Sequence, residues 1–168
     1  MIGRVLIAGI GNIFLGDDGF GVEVVQHMAH RSLPEGVSVK DFGIRGYDLA
    51  VALTEPWELV IMVDSVARGG LPGTIYVIEV DNFSQAATET LNGHGLEPAQ
   101  AIGLAHALGK VSARLLVVGC EPAHFGGDEG QMSLSPEVEA AIGEAISTLA
   151  EIVCDFLNTA DLKQGVQL

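Results

Sequence analysis

Three places in this chain carry side chains of a type and setting that could do chemistry. Asp17 and Asp18 stand together in GNIFLGDDGFG, residues 11–21, directly after a short apolar run. Asp64 closes a second run, LVIMV, which has no polar residue of its own. His94 lies in NGHG, between glycines that let the backbone turn tightly and leave the imidazole open. Two carboxylates and an imidazole form an oxygen–nitrogen donor set suited to a borderline transition metal such as nickel or zinc, with a position open for substrate. The same groups suit hydrolysis by water, which a metal activates or a carboxylate such as Asp18 deprotonates as general base. No Gly-x-Ser-x-Gly elbow and no His-Glu-x-x-His motif is present.

Each group also has a plainer reading. One aspartate before a helix caps it and meets its dipole favourably, a role worth about 0.5–2 kcal/mol. A second adjacent aspartate is left without that job. A carboxylate at the end of a buried strand is paired, solvated in a cleft or coordinated; for Asp64 a loop N–H or Arg68 is the structural partner. The remaining histidines are weaker candidates. His27 and His30 share a solvated helix face, His106 sits within a helix, and His124 follows an apolar strand and could line a cleft. Cys120 and Cys154 read as small buried hydrophobes.

The elements that must position these groups alternate between apolar β-branched runs and helical patterns. Strands are expected at residues 4–10, 37–42, 59–63, 74–80 and 115–119, and helices at 19–31, 47–53, 98–108 and 136–157. Helix 19–31 would bury Val22, Val25, Met28 and Ala29; strand 74–80 alternates like a half-exposed edge strand. Continuous apolar strands separated by helices imply an α/β three-layer sandwich, with a twisted, mostly parallel sheet of about five strands between helices. Residues 1–157 read as one domain, and 158–168 as a polar tail that frays. In such sheets ligands bind beyond the carboxyl ends of the strands, where Asp18, Asp64 and His94 would fall.

Composition narrows the function classes. A net charge of −14, from 22 acids and 8 bases, disfavours nucleic acid and anionic membrane surfaces and favours a cationic or metal-bearing partner. The first glycine-rich turn lacks the third glycine of a dinucleotide fingerprint, since position 14 is Phe. Its two acids would also repel a pyrophosphate by about 4 kcal/mol at ~4 Å. Two distant cysteines give no disulfide framework, and the apolar run at the start is too short for a signal core or a span, so the cytoplasm is expected.

The motifs GIGNIFLGDDGFG, VIMVDSV, NGHGLEP, VVGCEP and LSPEVEAAI, in that order, resemble those of the maturation endopeptidases of nickel–iron hydrogenases over nearly the whole chain. The resemblance implies a twisted sheet between helices and an enzyme that removes a C-terminal extension from the hydrogenase large-subunit precursor after nickel insertion. It implies that Asp18, Asp64 and His94 contact the metal and carry the catalytic site. The metal is nickel carried by the precursor, for which other divalent ions may substitute. Where some members have Asp-Gly-Gly-Thr after the second strand, this chain has Asp41-Phe42-Gly43-Ile44 followed by Arg45, a candidate contact to the precursor. The expected protein is a monomeric, carboxylate-based peptide hydrolase. The alternatives are a non-enzymatic nickel-binding maturation chaperone on the same fold and a nucleotide-binding oxidoreductase.

Overall fold

A computed structural model describes residues 4–80 and 98–164, with side chains described as far as residue 160. In chain order the elements are β1 (Val5–Ile10), a 3-10 turn (Gly16–Gly19), α1 (Phe20–Ala29), β2 (Val37–Gly43), α2 (Gly46–Leu53), β3 (Leu59–Ser65), β4 (Ile75–Glu79), α3 (Pro98–Leu108), β5 (Arg114–Cys120) and α4 (Pro136–Gln164). The strands form one sheet in the order β2-β1-β3-β5-β4, parallel except for β4, which runs antiparallel to β5 at the edge.

The period-2 alternation of strand side chains divides the core into two layers. Val5, Ile7, Leu59, Ile61, Val63, Leu116 and Val118 face the layer that includes α1 and α4. Leu6, Ala8, Val60, Met62, Leu115 and Val117 face the layer of α2 and α3. This is why β1 and most of β3 and β5 are apolar at every position, as expected for parallel strands covered on both sides. The buried residues of α4 fall at Val138, Ala141, Ile142, Ala145, Ile146, Leu149 and Val153, a single helical stripe.

Topology sets the position of the site. From β1 the chain crosses to one side to form β2, then returns past β1 to form β3 on the other. The strand order therefore reverses between β1 and β3, the place beyond whose carboxyl ends open parallel sheets bind ligands.

Strand ends and the start of α2 shift by one or two residues from expectation, and the larger departures are in the first helix and at the end of α4. The first helical segment opens as a 3-10 turn, and α1 ends at Ala29, which is exposed rather than buried. Helix α4 continues past residue 157 to Gln164, because residues 158–164 contain neither Gly nor Pro and the first breaker is Gly165. On β4, Val77 is 54% exposed. Beside it Arg114 grips Glu79 with two bonds, Nε to Oε1 at 2.6 Å and Nη2 to Oε2 at 3.1 Å. A charged fork on an edge strand discourages pairing with other chains.

Candidate active site

The loop after β1 turns on Gly11, whose φ of +127° few L-residues adopt. A Cβ there would lie 1.8 Å from the Asp18 carbonyl oxygen and 3.7 Å from Asp64 Oδ1. The missing side chain therefore lets the end of β1, the backbone of Asp18 and the carboxylate of Asp64 share one small volume. Asn12 Oδ1 then accepts the Phe14 N–H at 2.9 Å, a local Asx turn that starts the return toward the 3-10 turn. In a 3-10 turn successive side chains diverge by about 120°, so Asp17 and Asp18 point to different places.

Asp17 is fully buried and structural. Its Oδ2 accepts the N–H of Ala123 at 2.7 Å, the N–H of His124 at 3.1 Å and the hydroxyl of Ser135 at 2.9 Å; its Oδ1 accepts the Ser135 N–H at 2.6 Å. Burial pushes its pKa up, but the bonds from Ser135, His124 and Ala123 outweigh that and hold it below the ordinary 3.8. The residue that starts α1 is Gly19, with no side-chain cap, so the structural aspartate ties the loop after β5 and the start of α4 to the 3-10 turn instead.

Asp18, 8% exposed, reaches from the 3-10 turn to the ends of β1 and β3. Its Oδ2 accepts the Asn12 N–H at 2.8 Å, and the Ser65 hydroxyl lies 3.4 Å from its Oδ1. Asp64 is half-buried in the penultimate rung of β3, and its Oδ1 accepts the Ser65 N–H at 2.8 Å. The loop partner considered for Asp64 is thus the next residue in its own strand, while the Arg68 guanidinium lies over the Tyr76 ring at 5.3 Å. Asp18 and Asp64, separated in the chain by α1, β2, α2 and most of β3, both contact Ser65 at the reversal point of the sheet. His94 lies outside the described residues.

Glu121 is the site-end residue that sequence reasoning missed. It is 5% exposed and accepts the N–H groups of Arg68 at 2.8 Å and Gly69 at 3.1 Å and the Tyr76 hydroxyl at 2.8 Å. Burial raises its pKa and these donors more than reverse the effect; the Tyr76 hydroxyl, bonded to a carboxylate, is raised in turn. The rule that singles out Asp64, an acid at the end of an apolar strand, applies equally to Glu121.

Other candidates resolve into surroundings. The His124 backbone N–H serves Asp17, and its exposed ring accepts the Gly126 N–H on Nδ1 at 3.4 Å. His27 bonds the Glu23 carbonyl through Nδ1 at 2.8 Å on an exposed helix face. Cys120 is buried, and burial followed by the charges of Asp17 and Glu121 pushes its thiol up to about 12, which favours the neutral thiol. Cys154, in contrast, is exposed, because it follows Val153 out of the apolar stripe of α4. Arg45 bonds the carbonyls of Phe42 and Asp41 and lies 3.8 Å from Asp48, so its guanidinium is engaged at the end of β2. Among the described residues no helix is long and apolar enough to cross a membrane.

Both the sequence and the fold have counterparts among known proteins. The family model for HycI hydrogenase maturation proteases matches residues 22–152. The hydrogenase expression/formation protein HupD of Rhodobacter capsulatus is 33% identical, covering 87% of this chain and 71% of its own. The hydrogenase 2 maturation protease of Escherichia coli is 29% identical, covering 85% and 86% respectively. The crystal structure of a hydrogenase 2 maturation peptidase from a Thaumarchaeota archaeon superposes with a TM-score of 0.68 at 35% identity, covering 89% of this chain and 97% of that one. With the sheet, the reversal-point carboxylates and these likenesses in agreement, the chain belongs to the hydrogenase maturation protease family.

Proposed function

We propose that this protein is an endopeptidase that removes the C-terminal extension of a nickel–iron hydrogenase large-subunit precursor after nickel has been inserted, with the precursor's nickel as the recognition element. The observation that carries this reading is the meeting of Asp18 and Asp64 around Gly11 beyond β1 and β3. Two carboxylates that share the Ser65 neighbourhood at the strand ends disfavour each other's charge and favour a cation. A precursor that brings its own divalent ion supplies that cation; an unloaded precursor does not, and so binds weakly.

His94 is the third member of the proposed set. Helix α3 leads down to β5, and Gly109 at its far end lies against Thr54, near the start of β3. Pro98 therefore opens the helix at the carboxyl end of the strands. His94 precedes it by four residues, a chain reach of at most about 14 Å.

In the proposed reaction, substrate nickel seated against Asp18, Asp64 and His94 holds the scissile peptide over the strand ends. Water attacks the carbonyl, with a carboxylate taking its proton, and the leaving amine is protonated as the C–N bond breaks. Purified protein incubated with nickel-loaded precursor should shorten it by one C-terminal peptide, read as a mass loss. Asp18→Asn should slow this about 100-fold or more with the thermal midpoint retained. An unchanged precursor mass with wild-type protein would instead indicate a nickel-binding chaperone.

A further inference from the structure

Ser65 touches both carboxylates of the pair. Its backbone N–H donates to Asp64 Oδ1 at 2.8 Å, and its hydroxyl lies 3.4 Å from Asp18 Oδ1. The residue itself is held on a rigid element. It occupies the last rung of β3 opposite Cys120, and the N–H of the next residue, Val66, bonds the Cys120 carbonyl at 2.9 Å. With the backbone fixed on both sides, the hydroxyl's main freedom is rotation about one bond.

We infer that Ser65 is a positioning residue, setting the separation and facing of Asp18 and Asp64 for the divalent ion that the substrate carries. The inference rests on the proposed role of that pair. A carboxylate's terminal torsion is soft, so an aspartate held on one oxygen turns more freely than one held on both. The Asn12 N–H steadies Asp18 Oδ2, and Ser65 supplies a donor on the other oxygen while orienting Asp64 from the same residue. Linking both acids through one strand residue couples their placement. Outer partners of this kind change metal affinity by about 10–100-fold when removed.

The test compares wild type, Ser65→Ala and Ser65→Thr. Calorimetric titration with nickel ions alone measures the pair without turnover, and steady-state processing of nickel-loaded precursor separates KM from kcat. Ser65→Ala should weaken nickel binding about tenfold and raise KM by a similar factor, with kcat within about twofold and the thermal midpoint unchanged; Ser65→Thr, which keeps the hydroxyl, should restore both values. Wild-type nickel affinity and KM in Ser65→Ala overturn the role of Ser65 while leaving the proposed function standing. Threonine behaving like alanine overturns it as well, since the hydroxyl would then not be the agent. Wild-type protein that neither binds nickel nor processes the precursor overturns both readings.

Discussion

Asp17 accepts four hydrogen bonds, from the N–H groups of Ala123, His124 and Ser135 and from the Ser135 hydroxyl. Replacing it with Ala leaves those N–H groups without their acceptor, and one such loss costs about 1–3 kcal/mol. Asp17→Ala should therefore lower the thermal midpoint sharply and reduce processing through misplacement of Asp18. Acid should act the same way. The folded pKa of Asp17 lies below its ordinary 3.8, so its contribution is complete above that value and is lost as pH falls through the folded pKa. Chemical denaturation as a function of pH should show a wild-type decline in this acidic range that is smaller in Asp17→Asn. The sequence identifies the pair of acids and predicts that they divide one structural and one functional role. It does not say that the structural partner is a loop a hundred residues away, because local spacing carries no record of distant donors. Glu121 is legible as an acid at the end of an apolar strand, but its partners at 68–76 are not.

At the scale of elements, α1 sits unusually close to the sheet. A Cβ on Gly21 would lie 1.9 Å from the Val63 carbonyl oxygen and 2.4 Å from that of Ile10, both rigid backbone atoms at the reversal point. Gly21→Ala should force the helix away from β1 and β3. We expect destabilisation of about 3 kcal/mol, the upper range for overpacking, and loss of processing, measured together by denaturation and turnover. Strand and helix order was legible because apolar runs and period-3.6 stripes are local. The 3-10 turn was not, since GDDG has neither a stripe nor a distinctive breaker. The far end of α4 differs from expectation because polar residues alone do not end a helix. A helix interior tolerates Asn158, Thr159 and Asp161 where no Gly or Pro interrupts it. The edge position of β4 was correct, and its reversed direction is visible only in the sheet.

Across the whole molecule, the excess of acids follows the proposed electrostatics. Fourteen net negative charges steer a cationic or metal-bearing partner and leave few basic groups at the site end. The Arg45 and Arg68 guanidinium groups, which might have offset Asp18 and Asp64, are engaged with backbone carbonyls and with Tyr76. The bonds that close the Asp17 knot span 106 to 118 residues of chain, and this has a temporal consequence during synthesis. A nascent chain emerging from the ribosome holds its amino-terminal acids long before Ser135 exists to meet them. Stalled chains that end before this serine should leave residues 11–21 open to protease attack, and chains that have released α4 should protect them. The loop that carries Asp18 should thus take its final form only once residues 123–135 have left the ribosome.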